Sequence, residues 1–170
     1  MSNETIDEKE QMQARRPVWD EYFMKLAWLA AERSTCLRHH VGAVIVRDKR
    51  ILTTGYNGAP AGAKDCLSLG CLRNELNIPS GQKQEICRAI HAEQNAIIQG
   101  GFCGINISGG TLYCTHSPCI LCAKMIINAG IKKVIVSQSY PDTSYQSLFK
   151  EAGIEFRLFQ TEALSISRLK

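Results

Sequence analysis

The segment CTHSPCILC, residues 114–122, places three cysteines and one histidine within nine positions. Four such side chains close a structural metal site, whereas fewer ligands leave a coordination position open for chemistry. Cys119 and Cys122 are three positions apart, and Pro118 directly before them predicts the start of a helix. The two sulfur atoms are therefore expected on one face of that helix. The free N–H groups at a helix start stabilise thiolates, the metal-binding form of cysteine. The same spacing occurs in redox motifs and zinc ribbons, so it needs a second fragment to be interpreted.

That second fragment is HAEQNAIIQ, residues 91–99, which reads as an amphipathic helix with His91 at its start. Residues two positions apart face different ways in a helix, so His91 is expected at the lip and Glu93 inside the first turn. One imidazole and two thiolates leave the fourth tetrahedral position for water, as a catalytic zinc requires. A glutamate beside such a site can carry protons, whereas a closed four-ligand site has no use for one.

The remaining candidates in the first segment are Cys114 and His116. Cys114 alternates with Leu112 along a predicted strand, so we expect it to pack rather than to bind metal. His116 lies in the predicted loop before Pro118, close enough to line a pocket. We therefore predict a metal site built from His91, Cys119 and Cys122, with His116 as a pocket residue.

The bulk composition is typical of one globular domain: 170 residues, 45% hydrophobic and 21% charged. We assign residues 17–160 to that domain, residues 1–16 to a flexible polar N-terminal tail and residues 161–170 to a C-terminal tail. No apolar stretch is long enough for a membrane span, and residues 1–16 lack the apolar centre of a signal peptide. The eight cysteines are then expected to be metal ligands or free thiols in a cytoplasmic protein.

The order of predicted elements indicates an α/β fold. Pro17 opens a helix whose apolar stripe is expected to comprise Trp19, Tyr22, Phe23, Leu26, Ala27 and Ala30. Two β-rich runs joined by Asp48 and Lys49 predict a hairpin, and residues 58–86 form an ordered insert without clean periodicity. Helices and strands then alternate, in residues 88–98, 111–115, 119–128, 132–137, 144–151 and 154–159. This order predicts a mixed five-stranded sheet with helices on both faces.

With these motifs, the sequence resembles the deoxycytidylate deaminase family. The resemblance implies the three-layer α/β/α cytidine deaminase-like fold. The H-x-E…P-C-x-x-C pattern is the signature shared by zinc deaminases. The narrower resemblance runs from about Trp19 to Phe159 and rests on RSTC, VGAVIV, GYNGAPAG, HAEQNAI and SPCILCAKMIINAGIKKVI.

The resemblance implies hydrolysis of dCMP to dUMP and ammonia for thymidylate synthesis. By position, His91, Cys119 and Cys122 match the catalytic zinc ligands, and Glu93 matches the proton shuttle. Asn57 matches an asparagine that contacts the sugar or base, although its neighbour Gly58 also fits a simple turn. The resemblance further places Arg33 and Tyr140 as phosphate contacts.

Regulation and further metals are also expected from the resemblance alone. Family members are commonly hexamers, activated by dCTP and inhibited by dTTP, often with Mg²⁺, and residues 58–86 would suit a regulatory region. Some relatives hold a second, structural zinc, which a subset of the remaining cysteines would bind here: Cys36, Cys66, Cys71 and Cys87. The alternative is that these are free thiols packed as small hydrophobic side chains.

Two other functions stay open at the level of the sequence. One is a different deaminase of the superfamily, acting on nucleosides, guanine or tRNA adenosine. The net charge of +4, without a long basic run, gives little support to a nucleic-acid partner. The other is a zinc-stabilised binding module without catalysis, against which Glu93 argues, since such a module has no need of an acid/base group.

Overall fold

The computed structural model describes residues 16–159. The predicted tails, residues 1–16 and 161–170, lie outside the described residues except for Arg16. The elements run in the order α1 (Trp19–Ala31), β1 (Gly42–Arg47), β2 (Arg50–Tyr56), α2 (Cys66–Leu69), α3 (Leu72–Glu75), a 3-10 turn (Gln84–Ile86), α4 (Ala92–Cys103), β3 (Thr111–His116), α5 (Ile120–Asn128), β4 (Lys133–Gln138), α6 (Tyr145–Glu151) and β5 (Glu155–Leu158).

The five strands form one mixed sheet in the order β2-β1-β3-β4-β5. β1 is antiparallel to β2 and β3, whereas β3, β4 and β5 are parallel. Asp48 and Lys49 both adopt positive φ, at 51° and 60°, as a two-residue hairpin turn requires. The predicted mixed five-stranded sheet is confirmed.

Helices cover both faces of this sheet. On one face, α1 packs Phe23, Met24 and Ala27 against Val44 and Ile135. On the other face, α4, α5 and α6 bury a larger apolar cluster with the inner side chains of the strands, including Ala96, Leu112, Ile126, Val134 and Phe149. The predicted three-layer α/β/α architecture is therefore confirmed.

Glycines let two helices lie directly on the hairpin. A Cβ atom at Gly42 would lie 2.0 Å from the carbonyl oxygen of Ala27 in α1, and one at Gly55 would lie 2.2 Å from that of Ala92 in α4. Such separations are far below van der Waals contact, so both positions need glycine. The contact at Gly55 sets the start of α4 against the sheet.

The prediction for the buried stripe of α1 was wrong at two aromatic positions. Trp19 and Tyr22 are 41% and 42% exposed, whereas Met24 and Ala31 are buried. The close approach at Gly42 turns small side chains toward the sheet, and Trp19 instead stacks on Phe23 with ring centroids 5.5 Å apart. The helix predicted for residues 88–98 also begins later, at Ala92, because His91 has extended backbone angles.

The insert at residues 58–86 contains little regular structure. Its helices α2 and α3 have only four residues each. Asp65 caps α2, since its carboxylate accepts a hydrogen bond from the Ser68 backbone N–H at 3.0 Å. Among residues 16–159, no helix has the length and apolar character needed to cross a membrane.

Candidate active site

Two helix starts bring the three predicted metal ligands together. His91 is the residue before α4, Cys119 is the residue before α5, and Cys122 lies in the first turn of α5. Their ligand atoms all lie within 4.8 Å of one another. The Nδ1 atom of His91 is 3.5 Å from Cys119 Sγ and 3.3 Å from Cys122 Sγ.

This spacing fits a zinc ion. A zinc ion lies about 2.0 Å from a nitrogen ligand and about 2.3 Å from a sulfur ligand. In tetrahedral geometry, the nitrogen and sulfur atoms are then about 3.5 Å from each other. Two soft sulfur atoms and one imidazole nitrogen are also donors that zinc prefers. Three protein ligands leave one coordination position for a non-protein molecule.

The electrostatics of the cluster favour the thiolate form of Cys119. The hydrogen bond from Cys122, together with that from His91, lowers the pKa of Cys119 to about 4. The same shared hydrogen bond and burial raise the pKa of Cys122. Burial by itself would lower the pKa of His91, but the hydrogen bond to Cys119 and the charge of Glu93 raise it overall. The three side chains thus behave as one coupled unit.

Glu93 lies beside the cluster in the first turn of α4. Its side chain is only 4% exposed. Burial raises the pKa of Glu93, while the charge of His91 and a hydrogen bond with Cys122 act in the opposite direction. It is not one of the three clustered residues, and a carboxyl group beside a metal site can serve as an acid/base group.

The cluster opens onto a cleft of about 690 Å³, including the part open to solvent. The wall includes His91, Glu93 and Cys119, together with other polar residues: Arg38, His39, Asn57, Arg73, His116, Ser117 and Tyr140. These residues come from the segment between α1 and β1, the residue after β2, the insert, the start of α4, the end of β3 and the segments after β3 and β4.

Asn57, the predicted sugar or base contact, is buried in the cleft wall. Its Oδ1 accepts hydrogen bonds from Ser34 Oγ at 2.6 Å and from the Val41 backbone N–H at 2.9 Å. Its Nδ2 donates to the His39 carbonyl at 2.8 Å, which leaves one amide hydrogen unused. Asn57 therefore holds the segment before β1 and retains one donor, and its contact with a nucleotide stays a prediction.

The structure separates the two predicted phosphate contacts. Tyr140 lines the cleft, where its hydroxyl accepts a hydrogen bond from the Gly81 backbone N–H at 2.8 Å. Arg33 is exposed just beyond the end of α1 and is not among the residues that line the cleft. The cations in the cleft wall are instead Arg38 and Arg73, which the sequence analysis missed. Arg73 lies in the aperiodic insert, where no sequence pattern marks it.

His116 lines the cleft, and Cys114 is fully buried in the core, as predicted. Thr115 Oγ1 accepts the Gly42 backbone N–H and lies 3.0 Å from His116 Nδ1. Because that hydroxyl already accepts one hydrogen bond, its own hydrogen is available to Nδ1, which favours His116 with its proton on Nε2.

The four remaining candidate ligands line the same cleft: Cys36, Cys66, Cys71 and Cys87. Burial, followed by the neighbouring cysteines, raises the pKa of Cys66. Among residues 16–159, however, only His91, Cys119 and Cys122 have three ligand atoms within 4.8 Å of one another. The four cysteines converge on one region without reaching that separation.

Comparison with known proteins agrees with this site. The family described as the cytidine and deoxycytidylate deaminase zinc-binding region matches residues 17–138. The deoxycytidylate deaminase of Saccharomyces cerevisiae is 43% identical over 157 residues, covering 91% of this chain and 49% of that protein. That of Schizosaccharomyces pombe is 41% identical over 145 residues, covering 85% of this chain and 45% of that protein. The chain thus spans about half the length of these two relatives.

A similar fold occurs in a solved structure that carries ligands. The crystal structure of dCMP deaminase from the cyanophage S-TIM5, in complex with dCMP and dUMP, matches with a TM-score of 0.68 and 33% identity. The match covers 85% of this chain and 99% of the other. The likeness therefore extends over nearly the whole of the compared protein.

Proposed function

The chain belongs to the cytidine and deoxycytidylate deaminase family, and we propose that it removes the 4-amino group of dCMP by zinc-dependent hydrolysis, giving dUMP and ammonia. The observation that carries this proposal is the three-residue cluster with a buried glutamate beside it, both lining one open cleft. The names of the two yeast relatives and the ligands of the phage enzyme support the choice of dCMP.

In the proposed mechanism, His91, Cys119 and Cys122 hold the metal. A zinc ion in such a site supplies an activated water at neutral pH, because it lowers the pKa of that water to about 7. Glu93 accepts a proton from the attacking water and passes it to the ring nitrogen beside the amino-bearing carbon. It then takes the remaining proton from the hydroxyl group added at that carbon and donates it to the departing amine, so that water and dCMP yield dUMP and ammonia.

A substrate panel tests this function directly. Ammonia release would be measured with dCMP, dCTP, cytidine, deoxycytidine, guanine and a tRNA hairpin, using the zinc-loaded full chain. We expect the highest kcat/KM with dCMP. Turnover of the tRNA hairpin or of guanine without turnover of dCMP would assign the chain to another branch of the superfamily, and no turnover of any substrate would favour a binding module.

We also propose a second, structural zinc bound by a subset of Cys36, Cys66, Cys71 and Cys87. Its support is that all four thiols line one side of the cleft, in or next to an insert with little apolar core. A metal would supply order that the short helices lack. Metal analysis of the pure chain is expected to give two zinc ions per chain, and a value of one would contradict this site.

Regulation and assembly are proposals that rest on the family alone. We propose activation by dCTP, inhibition by dTTP, a role for Mg²⁺ with these effectors, and a hexamer. All eight cysteines are free, which supports a cytoplasmic location. Repeating the dCMP assay with each effector and Mg²⁺, and measuring the mass in solution, tests these points; unchanged rates or a monomer would contradict them.

A further inference from the structure

Two arginines from distant parts of the sequence hold one loop of the insert against the cleft. Arg38 Nη1 donates to the Ile78 carbonyl at 2.8 Å, and its Nη2 donates to Ser80 Oγ at 3.1 Å. Arg73 Nη2 donates to the Pro79 carbonyl at 3.0 Å. Both arginines line the cleft that also contains His91 and Cys119.

Arg73 is unusual because it is charged, buried and poorly partnered. Its side chain is 7% exposed, and its hydrogen bond to Pro79 is the only one it makes within residues 16–159. Its buried Nε atom has no hydrogen-bond partner in the same part of the chain. A buried donor of this kind costs free energy unless another molecule satisfies it.

Arg73 forms no ion pair among the described residues. The ion pairs within residues 16–159 involve other residues, and none contains Arg38 or Arg73. His39, which lies 3.0 Å from Ser80 Oγ through its Nε2, does not add a third charge at neutral pH. Burial and the charges of Arg38 and Arg73 lower the pKa of His39. The cleft wall therefore contains two arginines without an ion-pair partner among the described residues.

We propose that Arg73 binds the 5′-phosphate monoester of the substrate, while Arg38 adds charge and holds the loop at residues 78–80. A guanidinium offers donors in a planar fork that matches phosphate oxygens, and only one donor of Arg73 is used by Pro79. This assignment rests on the proposed function, because it gives that site its preference for nucleotides over nucleosides. Arg73, a residue of the insert, thus replaces Arg33 as the proposed phosphate contact.

The kinetic test compares a nucleotide with its nucleoside. For Arg73→Met, we expect kcat/KM for dCMP to fall by about 100-fold, the range of a lost charged hydrogen bond. The value for deoxycytidine should change by less than about threefold, since that substrate lacks the phosphate. Arg33→Met is the matched control, because Arg33 is exposed and outside the cleft. Equal loss on both substrates would show that Arg73 only supports the fold, and unchanged dCMP kinetics would overturn the proposal.

A binding test separates this inference from the deaminase activity. Inorganic phosphate should raise the Tm of the parent chain relative to chloride at equal ionic strength, and Arg73→Met should abolish the shift while keeping the zinc content. If the parent deaminates no nucleotide but shows this Arg73-dependent shift, the proposed function fails and the anion site stands. If phosphate shifts parent and variant equally, the anion site is wrong whatever the activity.

A conservative variant keeps the test decisive if Arg73→Met does not fold. Arg73→Lys retains the charge and loses the planar fork. We then expect kcat/KM for dCMP to fall by about tenfold with that for deoxycytidine unchanged, as one weakened charged hydrogen bond predicts. Equal loss on both substrates would again contradict the proposal.

Discussion

Two cysteine-bearing regions share one cleft but are built differently. The metal cluster lies at the starts of α4 and α5, helices of 12 and 9 residues that pack on the sheet. The four-cysteine group lies in or beside the insert, where α2 and α3 have four residues each. The first group has its ligand atoms within 4.8 Å of one another, and among the described residues the second does not reach that separation. The candidate ligand atoms thus lie close together where long helices pack on the sheet, and they lie further apart in the insert.

The largest expected effect is on kcat when Glu93, the proposed proton carrier beside the metal cluster, is replaced. Glu93→Gln keeps the size and burial of the side chain but cannot accept a proton as the carboxylate does. We expect kcat for dCMP to fall by about 10³–10⁴-fold with parent zinc content, measured by ammonia release and metal analysis. Glu85→Gln, at an exposed position of the insert, should leave kcat unchanged. A Glu93→Gln variant that works at the parent rate would refute the mechanism.

Removal of a core ligand should abolish one metal site without unfolding the chain. Cys122→Ala leaves only two of the three ligands, one at the start of α4 and one at the start of α5, so we expect one zinc fewer per chain and no measurable dCMP turnover. The helices keep their packing on the sheet, and the Tm should fall by only a few degrees. Cys103→Ala is the control, because Cys103 is exposed and outside the cleft. Full zinc content in Cys122→Ala would show that Cys122 is not a ligand.

Substitution of a cysteine in the insert should instead reduce the protease resistance of the insert strongly and the turnover of dCMP only partly. Cys71→Ala is expected to remove the other zinc and to expose residues 58–86 to limited proteolysis, since little apolar burial holds them. Turnover of dCMP should fall by about tenfold rather than vanish, because α2 and α3 position Arg73 but not the metal ligands. Unchanged zinc content and unchanged protease resistance would mean that the four cysteines are free thiols.

A smaller effect tests whether the sheet sets the position of α4. Gly55→Ala places a Cβ atom 2.2 Å from the Ala92 carbonyl oxygen, next to His91. We expect a loss of about 1–3 kcal/mol in the free energy of unfolding, as for other overpacking changes, together with weaker zinc binding. Gly101→Ala, inside α4 with no atom within 4 Å of the added Cβ, should instead stabilise the chain by about 0.5–1 kcal/mol. Denaturant unfolding measures both, and a neutral Gly55→Ala would contradict the close contact.

The fold could be predicted where local signals decided it. The two-residue turn at Asp48 and Lys49, the helix start after Pro118 and the helix end at Gly130, whose φ is 77°, each depend on a few neighbouring residues. The stripe of α1 could not be predicted as well, because hydrophobicity alone does not show that Gly42 brings the helix so close to the sheet. Which face is buried depends on that distant contact.

The sequence by itself predicted the three clustered side chains and the glutamate beside them, because each lies at the start of a helix that local residues specify. Only the tertiary structure decided which cations enter the cleft, leaving Arg33 outside and placing Arg73 in the wall. The insert has no periodicity, and its position follows from long-range hydrogen bonds such as Tyr140 to Gly81 and Arg38 to Ile78. Contacts between residues so far apart in the chain leave no local pattern to read.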